Sequence, residues 1–374
     1  MQPRVMSQSR IFKTLLDTLK LESCMPEGNE FKQYCDAACP YVDRLREEIL
    51  AQGVATDSDR LKMLPSCLKC FSRILKKTVS LTTYEVKHAR LVGAALDCLH
   101  ALLLRLEQAA SAPSASAPSP SASASPSSPL RSSVAAALLA DEAAVLVLYL
   151  QLLGIWEALK PAHCKLQRQE AGSERGSGSS GSSGSGEGVG AATAEHLAES
   201  SLRLFAQLLR SQFPQTMAGA VGAVGAVGAV KAVGAAGAGA SDVRFSSRLF
   251  DTFDGSLALQ TVHSLVHFLA PTPSSPNSSS SGSQIQTQAQ TQSRRVMLLA
   301  VEALSALLDC FGDHTDRQQV WRDCFPGTFS ALFVLSQGGF RAGSSLLGGA
   351  AACLLRLTAI VTRDEAAENV RLLW

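Results

Sequence analysis

The sequence predicts an all-α fold, an irregular α-solenoid of HEAT- or armadillo-like helix pairs with long disordered inserts. Three observations predict it. Apolar residues make up 46% of the chain and aromatic residues only 6%, with Leu and Ala prominent, and these two favour helix over strand. Apolar residues recur at steps of three and four. Finally, no convincing stretch alternates between apolar and polar residues as a strand would.

The helical spacing recurs along the whole chain. In order, the predicted helices are Ile11–Lys20, Phe31–Gln52, Asp57–Lys77, Tyr84–Gln108, Val134–Lys160, Ala194–Phe213, Ser256–Leu269, Arg294–Phe311, Gln318–Leu335, Gly343–Val361 and a last helix from Arg363. Each is long enough to bury one face against a neighbour, which is the requirement of a stacked helical array.

Individual residues support the helix boundaries. The apolar stripe of Tyr84–Gln108 is broad, so this helix is expected to contact neighbours on two sides. Asp57 suits an N-cap, and Pro65 inside the same helix predicts a kink or a division into two helices. Thr362 and Glu365 have the spacing of a capping box, which places the start of the last helix there.

Low-complexity tracts separate the helices and are predicted to be disordered, because they contain too little apolar surface to offset chain ordering. They are Ser111–Pro129, Gly172–Gly190, Ala218–Ala240 and Pro271–Ser293. The predicted organisation is helical repeats at 1–110, a linker at 111–133, a helical segment at 134–166, a linker at 167–193, a helix at 194–213, a Gly/Ala/Val insert at 214–243, a helical segment at 244–270, a linker at 271–293 and helical repeats at 294–374.

The charge pattern argues against a nucleic-acid partner. The formal net charge is +2, and no basic cluster exceeds a pair such as Lys76–Lys77 or Arg294–Arg295. A nucleic-acid-binding domain normally has a concentrated basic face, so no nucleic-acid partner is expected.

The start of the chain lacks the features of a signal peptide, and a cytoplasmic location, with the nucleus as a second one, is the expectation. The ten cysteines are expected to remain thiols.

One apolar stretch approaches the length of a membrane span. It is Val134–Trp156, and Asp141 and Glu142 interrupt it. The uncharged remainder is shorter than the roughly 20 residues that a spanning helix needs. We therefore expect a buried core helix and no membrane partner.

Two cysteine pairs have the spacing of metal ligands. Cys35 and Cys39 precede Cys67 and Cys70 by about thirty residues, which leaves open a zinc site and, with it, a zinc-dependent enzyme. His88 and His100 are also available as ligands. The alternative is core packing, since thiols three or four residues apart share one face of a helix. Core packing is preferred because no turn typical of a zinc knuckle surrounds either pair.

The other catalytic patterns lack their structural context. Gly176–Gly181 matches the letters of a dinucleotide-binding loop, but Gly and Ser flank it instead of a strand and a helix. His263 and His267 lie four residues apart without the Glu of a metalloprotease helix. Asn277 begins a glycosylation triplet. The sequence thus predicts no enzyme, no catalytic, cofactor-binding or metal-binding residue, and no cofactor.

The stretch Phe325–Ile360 combines glycines and serines with two apolar helix faces and predicts a helix hairpin. Pro326 suits a first helical turn, and Gly338–Gly339 suits a C-cap. Gly343 starts the second helix, where Gly348–Ala352 form a smooth surface that allows close approach of another helix. No cluster of acids, bases or metal ligands accompanies the hairpin.

Residues Arg294–Ala366 resemble the first Tel-two-interacting protein family. The resemblance consists of an aliphatic helix, Phe-Pro-Gly at 325–327, an apolar helix, Gly-Phe-Arg-x-Gly at 339–343, and a second aliphatic helix that ends on acidic residues. It covers roughly a fifth of the chain.

The resemblance implies an extended α-solenoid without an active site. Members of that family are subunits of the TTT co-chaperone complex. The implied partners are the other TTT subunits, phosphatidylinositol-3-kinase-like kinases (PIKKs) and the Hsp90 adaptor machinery. Family members are much longer than this chain, so an N-terminal fragment or a truncated gene product is the expectation. A generic armadillo/HEAT adaptor in transport or cytoskeletal assembly is the alternative.

Overall fold

Ten helices make up nearly all of the described part of the chain. In the computed structural model the described residues are 14, 17–18, 30–51, 57–111, 129–172, 191–212, 256–269, 283–311, 318–337 and 344–372. The helices are α1 (Glu30–Leu50), α2 (Asp57–Thr78), α3 (Ala89–Ser111), α4 (Pro129–Ala140), α5 (Glu142–Gly172), α6 (Ala191–Gln212), α7 (Ser256–Leu269), α8 (Ser283–Phe311), α9 (Gln318–Gln337) and α10 (Ser344–Leu372). The prediction of an all-α fold is confirmed.

The helices pack in two rows. In the first row α1, α3, α6, α8 and α10 each contact the next member. In the second row α2, α5, α7 and α9 do the same. The rows contact each other through the pairs α2–α3, α5–α6, α7–α8 and α9–α10, and α4 packs beside α2, α3 and α6. Each interior helix therefore has neighbours on two sides of its own row and a partner in the other row.

The helices of the first row run in the same direction, as contacts between their early residues and between their late residues show. These contacts are Asp36 with His88, which directly precedes α3, and Leu50 with Arg105 for α1 and α3, Gly93 with Leu197 and Glu107 with Gln207 for α3 and α6, Glu199 with Arg295 and Leu209 with Cys310 for α6 and α8, and Val301 with Gly349 and Asp309 with Arg356 for α8 and α10. Since consecutive members are parallel, a helix of the second row returns the chain between them.

A continuous apolar core fills the space between the rows. Trp156 and Trp321 are its largest fully buried side chains. The ring of Trp156 lies edge-on to Phe205 at a centroid distance of 5.0 Å and to Phe268 at 6.4 Å. Its indole N–H donates to Ser201 Oγ at 2.9 Å, so Trp156 joins α5, α6 and α7.

A short hairpin connects α2 and α3, where the sequence predicted the beginning of a helix. Val79–Ser80 (β1) pairs antiparallel with Glu85–Val86 (β2), and α3 begins only at Ala89. Tyr84 and His88 have φ values of 49° and 60°, a left-handed conformation that a right-handed helix cannot include. The hairpin was not predicted, because two paired residues are too short for an alternating pattern in the sequence.

Five helices extend into segments that were predicted to be linkers, α3 by one residue at Ser111 and α6 by three from Ala191. The other three extend further. α4 begins at Pro129, inside 111–133; α5 continues to Gly172, inside 167–193; and α8 begins at Ser283, inside 271–293. Proline suits a first helical turn. The Gln-rich start of α8 contains no Gly or Pro, and Gln is a good helix former, so a packed helix can extend through it. Composition alone underestimated these helices.

Prolines and a threonine lie inside continuous helices instead of at helix boundaries. Pro65 lies within α2 and Pro326 within α9, although an interior proline costs about 3 kcal/mol. Both helices pack against several neighbours, and this packing outweighs the local cost.

The capping box predicted at Thr362 is wrong. Residues 344–372 form one helix, in which Thr362 Oγ1 donates to the carbonyl of Thr358 at 2.9 Å.

Several expectations concern residues outside the described part of the chain. These are the first predicted helix except residues 14, 17 and 18, most of the predicted disordered tracts, the Gly176–Gly181 motif, Asn277 and the corner at Gly338–Gly339. They stay predictions.

Candidate functional site

The four cysteines with metal-like spacing are buried on two different helices. Cys35 and Cys39 lie on α1, and Cys67 and Cys70 lie on α2. Burial, with contributions from Cys39 and Asp36, raises the pKa of Cys35 to about 11. In the absence of a metal ion, a thiol with this pKa is protonated at neutral pH and is not a reactive thiolate. Within the described ranges, no group of three or more His, Cys, Asp or Glu side chains could hold a metal ion.

The histidines singled out by the sequence are not gathered with those cysteines. His88 Nε2 lies 3.0 Å from Asp36 Oδ1. His263 is exposed on α7, whereas His267 is half-buried with its ring 6.1 Å from that of Phe268. His100 is half-buried on α3. His88 thus contacts a carboxylate of α1, and His267 lies beside the ring of its neighbour in α7.

A Ser-His-Asp group lies between α3 and α6, and no sequence pattern indicated it. Ser200 Oγ donates to Asp97 Oδ1 at 2.7 Å and lies 3.0 Å from His196 Nδ1, while His196 Nε2 lies 3.6 Å from Asp97 Oδ2. Ser200 is only 1% exposed, so a substrate carbonyl cannot reach its oxygen. A nucleophilic serine also needs its base to take the hydroxyl proton, and here the carboxylate accepts it directly. The group joins two helices and does not form a catalytic site.

The same polar connection continues along the first row. Arg46 of α1 pairs with Asp97 of α3 at 3.5 Å. Glu199 of α6 accepts from Arg203 NH2 at 2.7 Å and lies 3.3 Å from Nε of Arg295 on α8.

Further along the row, the contacts link the next pairs of helices. Glu107 of α3 accepts from Gln207 of α6 at 2.5 Å. Asp309 of α8 pairs with Arg356 of α10. Every seam of the first row therefore contains a polar bridge between its two helices. We call the surface formed by Arg46, Arg203, Arg295 and Arg356 the arginine face.

On the arginine face the carboxylates are covered, the side chains of Arg46 and Arg295 are exposed, and those of Arg203 and Arg356 are partly covered at 28% and 36% exposure. The side chains of Asp97, Glu199 and Asp309 are only 11–13% exposed. By contrast, the side chain of Arg46 is 45% exposed and that of Arg295 is 62% exposed. In the Arg46–Asp97 and Arg295–Glu199 pairs the cation is therefore the more exposed member, although the formal charges of each pair cancel.

Two pKa shifts are consistent with this environment. Burial and then the nearby Arg203 guanidinium lower the pKa of His100, to which Arg46 and Arg210 also contribute. These three arginines belong to α1 and α6, on either side of His100. Burial raises the pKa of Asp309, and Arg356 and Arg210 oppose that rise. Cationic groups thus converge on the seams from both flanking helices.

The array presents a different surface at α9 and α10. The exposed large apolar side chains there include Phe333, Val334 and Leu355, the last 70% exposed. Two helical segments in the described residues are long and apolar enough to cross a membrane, Glu142–Lys160 and Ser345–Thr362. The first lies within the predicted core helix. The second lies in the predicted helix Gly343–Val361, which the sequence analysis did not consider as a membrane span.

Searches against protein-family models, curated proteins and solved structures gave no match for this chain.

Proposed function

We propose that this chain is a non-enzymatic α-solenoid scaffold and a subunit of a TTT-type co-chaperone complex. In this role it assists the Hsp90-dependent maturation and stability of PIKKs, in the cytoplasm and also in the nucleus. The observation that carries the proposal is the pair of helix rows, of which the first runs parallel from α1 to α10 through direct contacts.

The packing supports a repeat architecture for a physical reason. In a solenoid each repeat contacts only its neighbours, and the array gains long outer surfaces instead of one enclosed pocket. The helix pairs α2–α3, α5–α6, α7–α8 and α9–α10 follow one another along the rows, and each pair contacts the next one. Surfaces of this kind bind extended partners, whereas catalysis requires groups that converge on one substrate.

The co-chaperone assignment rests on the resemblance of Arg294–Ala366. These residues contribute to α8, α9 and α10, the last three helices of the two rows. Phe325–Gly327 lies within α9. Trp321 and Cys324 beside it are buried, so the resembling motif belongs to a packed helix pair.

Affinity capture tests the assignment. The chain, carrying a tag, is expressed in cells and recovered under mild conditions, and the co-purifying proteins are quantified against the tag alone. Enrichment of the other TTT subunits and of PIKKs is expected. Enrichment of transport or cytoskeletal proteins in their place would support the generic adaptor and contradict the co-chaperone assignment. Reconstitution with purified TTT subunits on a gel-filtration column then tests whether the contact is direct.

A further inference from the structure

The arginine face has the chemistry of an anion-binding surface that its own carboxylates do not saturate. A guanidinium group carries five N–H donors in a planar fork. The contact with Glu199 engages Nε of Arg295, and the Arg295 side chain remains mostly exposed. Arg46 is similarly exposed beside a covered Asp97. Donors of both groups therefore face solvent and are able to bind another carboxylate.

We infer that this face docks an extended, carboxylate-rich segment of a partner protein. The inference rests on the scaffold role proposed above but not on the identity of the partners. Charge complementarity carries it: the α1–α3 and α6–α8 seams cover Asp97 and Glu199 and expose Arg46 and Arg295, so the free donors of these two arginines are open to carboxylates of a partner.

The dimensions of the row indicate the length of the segment. Packed helices lie 8–10 Å apart, so the three steps from α1 to α8 cover about 30 Å. An extended chain advances about 3.3–3.6 Å per residue, and about nine or ten residues therefore connect Arg46 with Arg295. Arg203 of α6 lies between them along the row and shares Glu199 with Arg295.

A protein segment fits this surface better than a nucleic acid does. Nucleic-acid binders concentrate basic residues and often place aromatic side chains for base stacking. Here the arginines alternate with covered carboxylates, and the chain as a whole has a net charge of only +2. Spaced single guanidinium groups match spaced carboxylates.

Fluorescence anisotropy with the purified full chain tests the inference. The probe is a labelled peptide of about 12 alternating Glu and Ser residues, long enough to extend past both arginines. Saturable binding that weakens as NaCl is raised is expected. Arg295→Glu is expected to weaken binding about fivefold or more, since an attractive exposed pair becomes a repulsive one. Arg46→Glu should act in the same direction.

A matched control lies on the other row. Lys69 of α2 is 61% exposed and pairs with Asp141 at 3.5 Å, whose side chain is 14% exposed. Lys69→Glu changes the net charge as much as Arg295→Glu does, but away from the arginine face. Its affinity is expected to remain within about twofold of the wild type, as a distant exposed charge is largely screened. An equal loss in both variants would mean that only net charge matters and would overturn the inference.

Other outcomes also decide the question. Unchanged affinity of Arg295→Glu, or no saturable binding of the peptide, refutes the docking site. Tighter binding of single-stranded DNA or of phosphatidylserine vesicles, lost in the same variant, assigns the face to another class of ligand. If the reversal next to Glu199 lowers the unfolding midpoint, Arg295→Gln and Arg46→Gln replace it. The peptide assay uses no TTT subunit, so its failure and the failure of the capture experiment are separate results.

Discussion

Helices α5 and α10 each contain an apolar segment of similar length and mean hydropathy, but the two segments differ in burial. Glu142–Lys160 of α5 has a mean hydropathy of 1.6 and is 61% buried, whereas Ser345–Thr362 of α10 has a mean hydropathy of 1.7 and is 22% buried. α5 packs against α2, α6 and α7, so it has neighbours on both sides of its row. The main contacts of α10 are with α8 and α9. Position in the array, more than composition, decides how much of an apolar helix is covered.

The largest expected effect comes from the centre of the better-covered helix. Trp156→Ala removes a fully buried ring that contacts Phe205 and Phe268, and truncation of such a side chain costs about 3–5 kcal/mol of unfolding free energy. Leu355→Ala in α10 is the control, because that side chain is 70% exposed and surface changes remain within about 0.5 kcal/mol. Urea unfolding followed by circular dichroism measures both. Equal losses in the two variants would contradict the difference in burial.

The two helices also contain glycines in opposite surroundings. A Cβ on Gly154 of α5 would lie 2.6 Å from Leu81 Cδ2 and 3.1 Å from Val79 Cγ1, whereas one on Gly348 of α10 would meet nothing within 4 Å. Gly154→Leu should therefore destabilise the protein by about 1–3 kcal/mol through overpacking. Gly348→Ala should stabilise it by about 0.5–1 kcal/mol through helix propensity. Thermal unfolding compares the variants, and a stabilised Gly154→Leu would show that the hairpin at 79–86 does not pack firmly on α5.

A buried hydrogen bond sharpens the comparison at a smaller scale. Ser201→Ala leaves the indole N–H of Trp156 without its acceptor, which costs about 1–3 kcal/mol for a buried donor. Ser336→Ala in α9 removes a hydroxyl that donates only to the carbonyl of Phe333, an exposed contact at 2.8 Å. Its effect should be within about 0.5 kcal/mol. If urea midpoints place Ser336→Ala as low as Ser201→Ala, burial is not the cause.

The smallest expected effect is a pH dependence at the seam between α5 and α7. Burial raises the pKa of Glu157, but hydrogen bonds from Lys160 at 2.5 Å and Ser264 at 2.7 Å outweigh it, and the net shift is downward. A depressed carboxyl pKa contributes stability that is complete above the unfolded value of about 4.3 and is lost as pH falls through the lower folded value.

Glu157→Gln tests this dependence. The variant is expected to be less stable than the wild type at neutral pH, and the difference should shrink as the pH falls below the unfolded value. Unfolding midpoints at a series of pH values measure it. Asp309 at the seam between α8 and α10 provides the opposite sign, since burial raises its pKa and its protonation at falling pH therefore favours the folded state. A constant difference between wild type and Glu157→Gln across this range would refute the contribution of the carboxylate.

The helices were predictable because their signal is local. The apolar spacing at steps of three and four in α3 lies within a few turns of the residues that it organises. The hairpin at Val79–Val86 was not predictable, because it depends on two positive φ values and on the packing of Leu81 against Gly154. Pro65 does not divide α2 into two helices for a related reason: the cost of an interior proline is local, and the packing that outweighs it is not.

The arginine face could not be predicted from the sequence. Arg46 lies 51 residues from its partner Asp97, and Glu199 lies 96 residues from Arg295, as the residue numbers show. Nothing in the neighbourhood of either arginine distinguishes it from an ordinary exposed side chain. The Ser200 contacts escaped notice for the same reason, since the hydroxyl meets Asp97 only after α3 and α6 pack.

By itself, the amino-acid sequence determined that this protein is helical, since apolar spacing, Leu and Ala content and caps act between residues a few positions apart. The tertiary structure alone decided which apolar helix is covered, which thiols are buried and which arginines are brought together on one face. These properties depend on contacts between residues many positions apart, and they come into existence only when the two rows of helices pack.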